Sequence, residues 1–266
     1  MSEIANNKVE QLDEMATPVL KTTIPTCNIL GVSIATINMK WLVDFLNDHI
    51  KNISGHYICV SNVHTTVMGY EEEDYRAILN ASLMSIPDGG PLSTIGRRDG
   101  YPNMERTTGP DLMGEIFRAS SMKGYRHFFY GSTEATLEKL KQNLLKKYPY
   151  LEVVGMYSPS FRPLTAEEDE RIIQQINAAQ PDFIWVGLGA PKQEKWMAAH
   201  KNKVKGLMIG VGAGFDYYAE NIKRAPHWMQ NNNLEWLYRL LQDPKRLFKR
   251  YLHTNIKFLW LVGRGK

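Results

Sequence analysis

Apolar positions in this chain change period repeatedly, and each change marks an element. The run Cys27-Asn28-Ile29-Leu30-Gly31-Val32-Ser33-Ile34 reads as a strand. Beyond it Thr36 or Asn38 can cap a helix that carries Trp41, Leu42, Phe45, Leu46 and Ile50 at helical spacing. His56 to Ser61 is a second strand, ending at Asn62, and His64-Thr65-Thr66 reads as a loop entering a helix. Leu83 to Pro87 is a short buried strand that ends in the turn Asp88-Gly89-Gly90. Gly109-Pro110-Asp111 then opens a helix through about Met122, with proline in the first turn and an acid near the positive helix end.

The second half repeats the alternation more cleanly. Strand Arg126 to Tyr130 precedes helix Glu134 to Lys147, and strand Leu151 to Gly155 precedes helix Ala166 to Ala179. Strand Phe183 to Gly187, the loop Leu188 to Gln193, helix Glu194 to His200 and strand Gly206 to Val211 follow. Helical segments of this length between strands imply right-handed crossovers. The pattern predicts an α/β, Rossmann-like fold, a largely parallel sheet flanked by helices, which binds ligands at the carboxyl ends of its strands.

From about Ala225 the pattern changes again. Trp228, Leu234, Trp236, Leu237, Leu240 and Leu241 are interleaved with basic residues, and from Arg239 to Lys266 eight basic residues face a single acid, Asp243. With Phe248, Tyr251, Phe258, Leu259 and Trp260 beside them, they form a C-terminal basic, amphipathic helical appendage. The expected organisation is therefore a mobile leader over 1–23, an α/β domain over 24–224 and the appendage over 225–266. The first twenty or so residues are polar and acidic, unlike a signal peptide, and no apolar run approaches the roughly 20 residues that cross a bilayer. Any membrane contact is expected to be peripheral and on the cytoplasmic side.

Composition narrows the chemistry. The 266 residues carry a net charge of +4 and only two cysteines, Cys27 and Cys59, both inside strand-like runs. A disulfide framework or zinc site has no support, and buried thiols in a reducing compartment fit. The seven histidines show no metal-ligand spacing, and no D-x-D motif is present to hold a metal against a nucleotide diphosphate. Neither G-x-G-x-x-G nor G-K-[ST] occurs in the glycine-rich strand ends Gly187 to Glu194 and Gly210 to Asp216, so no nicotinamide cofactor or P-loop is indicated. These two loops are candidate cradles for a phosphate or a sugar, a weak signal singly and a better one in tandem. Asp88, at a strand end before two glycines, suits either a general base or the cap of the next helix. Asn62 lies about one strand-helix-strand unit upstream, where an amide can orient a hydroxyl or a phosphate oxygen, or simply make a turn. Arg106 precedes a helix start that favours an anion, or it is a surface residue paired with an acid.

Taken together, these residues resemble the WecG/TagA/CpsF family, glycosyltransferase family 26. The resemblance rests on Ile86-Pro87-Asp88-Gly89, Arg106-x-x-Gly109-x-Asp111-Leu112, Tyr130-Gly131-Ser132, Pro191-Lys192-Gln193-Glu194-Lys195-Trp196 and Gly212-Ala213-Gly214-Phe215-Asp216. It extends through Lys223-Arg224-Ala225-Pro226-x-Trp228, Leu234-Glu235-Trp236-Leu237-Tyr238-Arg239-Leu240 and Pro244-x-Arg246. It implies an inverting, metal-independent transfer of a sugar from a UDP donor to a polyprenyl-diphosphate-linked sugar, in teichoic acid or other surface polysaccharide synthesis. Asp88 would be the base, and Asn62 and Arg106 would position the donor. Gln193 would contact a sugar or phosphate, and Asp216 would lie near the uridine. Arg239, Arg246 and Arg250 would close over the site and neutralise the leaving UDP or the lipid diphosphate. UDP-N-acetylmannosamine is the first expected donor, with UDP-glucose and a UDP-mannosaminuronic acid behind it. Where many members carry Thr, this chain has Val60, which removes a hydroxyl contact and leaves the donor open.

The appendage fits a lipid-linked acceptor, since basic residues near an anionic leaflet gain about 1 kcal/mol each and aromatics add apolar binding. Its apolar residues have three places to be buried: the parent domain, the bilayer or a partner subunit in a homo-oligomer. A nucleotide-sugar hydrolase or epimerase would need no such tail, and a membrane-recruited scaffold would leave Asp88 without a role. Nucleic acid is excluded as a partner because the basic residues cluster with Trp and Leu, with no separate polar face.

Overall fold

The computed structural model describes residues 23–264 together with Lys21, so most of the expected leader lies outside the described residues. The chain first departs from expectation at Cys27 to Ile34. Instead of one strand it forms a hairpin, in which β1 (Thr26–Ile29) and β2 (Val32–Ala35) pair antiparallel with Ile29 opposite Val32. Leu30 and Gly31 adopt φ of 53° and 87°, the backbone of a two-residue hairpin turn, and the Gly31 N–H donates to Asn28 Oδ1 at 2.9 Å. Leu30 is buried, so apolarity does not fall where the chain reverses.

Helix α1 (Met39–His49) starts at Asn38, whose side chain accepts from the Trp41 N–H. Strand β3 (Tyr57–Ser61), helices α2 (Val63–Glu71) and α3 (Glu73–Ala81) and strand β4 (Met84–Pro87) follow. Starting at the last residue of the expected Asp88-Gly89-Gly90 turn is α4 (Gly90–Arg98), a helix the pattern did not indicate, whose buried face is Gly90, Leu92, Ser93 and Gly96. A contact face made mostly of small residues leaves no apolar period to read.

The remaining elements fall close to expectation. They are α5 (Gly109–Lys123), β5 (Arg126–Gly131), α6 (Glu134–Lys147), β6 (Glu152–Tyr157), α7 (Ala166–Ala179), β7 (Phe183–Gly187), α8 (Lys192–Ala199) and β8 (Leu207–Gly210). Short helices α9 (Gly214–Tyr218), α10 (His227–Asn231) and α11 (Glu235–Gln242) lead to the long α12 (Pro244–Gly263).

The strands form one sheet in the order β1-β2-β4-β3-β8-β7-β5-β6, parallel throughout except for the β1–β2 hairpin. Both faces are covered. Leu42, Phe45 and Leu46 of α1, Ile116 and Phe117 of α5 and Leu140 and Leu144 of α6 pack one side, against Phe129 and Trp185. Tyr75 and Leu79 of α3, Ile172 and Ile176 of α7 and Met197 of α8 pack the other, against Phe128, Tyr130 and Ile184. A neutral imidazole threads the first side. The Trp185 indole donates to His127 Nδ1 at 3.1 Å, so the proton sits on Nε2, 2.8 Å from Ser120 Oγ, whose hydroxyl donates to the Ile116 carbonyl. Burial pushes the His127 pKa down to about 3, which keeps this chain of donors in one order.

The C-terminal helix has two faces. Leu247, Phe258 and Leu261 of α12 are buried, Phe258 and Leu261 in the α3–α7–α8 side of the core, and Lys257 and His253 meet Glu71 of α2. On the opposite face Phe248, Leu252, Ile256 and Leu259 stand 50–71% exposed at helical spacing, with exposed Lys245 and Lys249 among them. No helix among the described residues is long and apolar enough to cross a membrane.

At the end of β5, Gly131 has φ 125°, and a Cβ built there would lie 2.6 Å from the Gly187 backbone. Gly131→Ala is therefore strained in its dihedral and forces two strand ends apart. Its cost is expected at about 2–3 kcal/mol by urea denaturation, with normal secondary structure in the folded fraction.

Candidate functional site

The sheet order brings four strand ends together. The β3–β4 register sets Ser61 opposite Pro87, so Asn62 and Asp88 leave neighbouring strands side by side, and the Asp88 N–H donates to the Ser61 carbonyl at 2.8 Å. The β7–β8 register sets Val186 opposite Gly210, which places the Gly187-Leu188-Gly189 loop beside Val211 and Gly212. Between the two pairs lies a cavity of about 650 Å³, a size usual for small-ligand sites. It is lined by Asn62, Asp88, Arg106, Gln193, Asp216, Arg239 and Arg250, seven of the eight expected site residues. The eighth, Arg246, lies on α12, but its side chain is outside the described residues.

Asp88 does not cap α4. The residue at that cap is Gly89, with no side-chain hydrogen bond to the helix. The Asp88 carboxyl instead faces the cavity, within reach of the Asn62 amide and the Gly109 N–H at the start of α5. Burial raises its pKa from 3.8 to about 6, Arg106 and these two donors pull it down, and the carboxylate of Glu235 pushes it further up. The helix start expected to hold an anion thus already faces a carboxylate of the chain itself.

Asn62 takes its expected local role and in addition reaches Asp88. Its Oδ1 accepts from the His64 and Thr65 N–H groups at 3.0 and 3.3 Å, and Thr65 Oγ1 accepts from the Asn62 N–H, a capping box that starts α2. That leaves the amide nitrogen for Asp88. Gln193 has a different place from the one expected. It is 4% exposed, its Oε1 accepts from the N–H groups of Gly189 and Gly212 at 3.1 and 3.0 Å, and its Nε2 donates to Glu194 at 2.9 Å. One amide therefore ties the β7 and β8 loops together beneath the cavity. Asp216 borders the cavity from α9 and accepts from the Asn221 amide at 3.2 Å.

Arg106 and Asp111 do not pair with each other. Asp111 receives both arms of Arg224 and the Thr108 hydroxyl, and these bonds outweigh burial to hold its carboxyl below the ordinary value. Arg106 donates through Nε to the Asp88 carbonyl at 3.0 Å and through its outer nitrogen to Glu235, 129 residues away. Glu235 opens α11, so the appendage is part of the site. Asn233 presses on Gly90 so closely that a Cβ there would overlap its amide. Tyr251, Thr254, Asn255 and Leu259 of α12 form another wall. Arg239 lies over the Tyr217 ring at 5.5 Å, and Arg250 reaches the cavity beside His64.

Among the cavity residues that the sequence did not single out as candidates are Glu235, Tyr217 and His64. One signal was available for Glu235, which is one of only two acids between Ala225 and Lys266. His64 and Tyr217 gave none, since their place follows from strand order. Burial and then the Arg250 guanidinium push the His64 pKa down to about 4, so a neutral imidazole faces the cavity. Among the described residues no group of three or more His, Cys, Asp or Glu side chains could hold a metal ion.

The model of the Glycosyl transferase WecG/TagA/CpsF family matches residues 27–266. The N-acetylglucosaminyldiphosphoundecaprenol N-acetyl-β-D-mannosaminyltransferase of Bacillus subtilis strain 168 is 30% identical over 229 residues, 85% of this chain and 87% of that protein. The enzyme of the same name from Staphylococcus aureus strain MW2 is 28% identical over 242 residues, 90% and 92% of the two chains.

The raised Asp88 pKa has a stability consequence. Below its unfolded value of 3.8 the carboxyl is neutral in both states and costs nothing, while above about 6 the folded state holds a desolvated charge. Wild type should therefore lose stability relative to Asp88→Asn as pH rises from about 4 to 6. By urea denaturation the variant should be about 2 kcal/mol more stable than wild type at pH 7.5, with the gap closing near pH 4.

Proposed function

The chain belongs to the WecG/TagA/CpsF family of glycosyl transferases, and from that premise we propose that it transfers N-acetylmannosamine from UDP to a polyprenyl-diphosphate-linked N-acetylglucosamine. The observation that carries this reading is the Asp88 carboxyl, held by the Asn62 amide and the Gly109 N–H, with a pKa of about 6, facing a cavity that also holds Arg106, Arg239 and Arg250. A carboxylate of that basicity is ionised at neutral pH yet takes a proton more readily than an ordinary aspartate.

In the proposed reaction Asp88 accepts the proton of the acceptor hydroxyl as its oxygen bonds to the anomeric carbon of the donor. The bond from that carbon to the diphosphate oxygen breaks on the opposite face, its electron pair leaves with UDP, and the anomeric configuration inverts. Asn62 and the Gly109 N–H hold the carboxylate in line, and the arginines balance the charge that develops on the diphosphate, so that no metal is required. The glycine loops bound by Gln193 offer backbone N–H groups to the nucleotide. In this reading Asp216, which borders the cavity from α9, is the neighbour of the uridine.

With purified protein and a synthetic polyprenyl-diphosphate-N-acetylglucosamine, UDP release is expected from UDP-N-acetylmannosamine only when acceptor is present, and it should be unchanged by EDTA. Asp88→Asn is expected to slow it roughly 10³-fold while UDP still binds. Release without acceptor would instead identify a hydrolase.

The same reading places the protein peripherally on the inner face of the cell membrane. Its support is α12, whose inner face is anchored in the domain and lines the cavity while its outer face presents Phe248, Leu252 and Ile256 together with Lys245 and Lys249. In flotation assays the protein is expected to partition onto phosphatidylglycerol-containing vesicles over pure phosphatidylcholine. Leu252→Ser with Ile256→Ser should weaken that partition by roughly 10-fold or more without loss of UDP binding.

A further inference from the structure

The proposed reaction gives Asp88, the arginines and the loops their tasks and leaves one charged side chain in the cavity unused. Glu235 is only 14% exposed and its partner Arg106 21%. One carboxylate oxygen takes the outer nitrogen of Arg106, and the other accepts from the Tyr217 hydroxyl at 3.4 Å. The Nε of the same Arg106 is bound to the Asp88 carbonyl at 3.0 Å. A chain of contacts thus runs from the first turn of α11, through one guanidinium, to the backbone of the residue that acts as base.

An acid at this point is unexpected if the cavity exists only to receive a diphosphate. Glu235 cancels the charge of the arginine nearest the base and sets a second carboxylate close to the first. A neutral acceptor at the same position would anchor Arg106 without either effect. We infer that Glu235 is a positioning residue: from the appendage it fixes the Arg106 fork against the Asp88 loop and maintains a negative charge beside the base, so that base strength depends on the appendage being docked. The inference rests on the transferase reading for its kinetic consequence, but not for its electrostatic one.

The groups that face Asp88 define the direction of the effect. Arg106 favours its ionised form and Glu235 opposes it, while the Asn62 amide and Gly109 N–H are neutral donors that also favour it. Tyr217 stands beside both carboxylates, and His64, Asp216, Arg239 and Arg250 border the same cavity further around. Removing the Glu235 charge takes away the opposing neighbour and releases Arg106 to act on Asp88 alone. Both changes lower the Asp88 pKa from about 6, and burial, the largest influence, keeps it above the ordinary 3.8.

The test is the titration of Asp88 in the full chain, followed by ¹³C NMR with the carboxyl carbon labelled, in wild type, Glu235→Gln and Glu235→Asp, with Asp88→Asn to assign the signal. Glu235→Gln retains an acceptor for Arg106, and its midpoint is expected to fall by about half a pH unit or more, while the Asp variant stays within about 0.3. In transfer assays the acid limb of the pH profile should move down with it, kcat at pH 8 should fall about 3- to 10-fold, and the donor KM should change less than about 3-fold. An unmoved Asp88 midpoint in a Gln variant that still binds UDP overturns the inference, as does a reduced kcat with an unmoved acid limb. Loss of fold in both variants would assign Glu235 a purely structural role and also overturn it. Should wild type transfer no sugar from any UDP donor, the transferase reading falls, and the titration still decides the role of Glu235.

Discussion

Strand β3 meets β8 along three residue pairs, Tyr57 with Met208, Ile58 with Ile209 and Cys59 with Gly210, and this seam alone joins the two halves of the sheet. The half containing β1, β2, β4 and β3 ends in Asn62 and Asp88. The half containing β8, β7, β5 and β6 ends in the two glycine loops. In a parallel sheet all carboxyl ends point the same way, so wherever the halves join, their loops must diverge and leave a crevice. Asp88 and the two glycine loops come from opposite sides of that crevice. Gln193 then ties the two loops of one side together, and Arg106 with Glu235 links the other side to the appendage.

The appendage is less a second domain than the last wall of this crevice. Its helices supply an ion-pair partner, a row of side chains along the cavity and an inner face that shares the core under α2 and α3. The same α12 keeps an apolar face outward. Burying a side chain of that size typically contributes about 1.5–3 kcal/mol, so Phe248, Leu252 and Ile256 left in water represent a substantial reserve for whatever surface covers them. The eight-to-one excess of basic residues noted from Arg239 onward serves several purposes: Arg239 and Arg250 point inward, Lys257 clamps α12 to Glu71, and Lys245 and Lys249 remain on the outer side.

Most of the fold was legible because its long elements repeat at one period without interruption. Helix Ala166–Ala179 and strand Phe183–Gly187 fall where the pattern puts them, the helix because its buried residues form one stripe and the strand because it is a short apolar run buried on both faces. The failures have local causes. The hairpin after Ile29 turns on a buried leucine, and α4 packs through small residues, so in both cases hydropathy carries no mark of the event. In the site, residues at strand ends beside glycine could be proposed as candidates, because only a few positions combine those features. Glu235 stands out in the sequence only as a rare acid in a basic stretch, and its contact across 129 residues is one that no local pattern encodes. Gln193 shows the opposite limit: the motif marks the residue, yet in the folded chain its polar atoms point into the protein's own loops.

The central position of β8 also has a consequence for how the molecule comes into being. During synthesis β2, β3 and β4 emerge early, and the strand that must lie against β3 is the last of the eight to leave the ribosome. Until then β3, buried at all five residues in the finished protein, is an edge with unpaired N–H and carbonyl groups and a row of apolar side chains. A chain interrupted before Leu207 would carry this sticky edge permanently, and one that folds slowly would carry it for the whole delay. The arrangement that opens a crevice for the substrate therefore also makes the nascent chain dependent on its own later half, or on a chaperone, to keep β3 from pairing with a stranger.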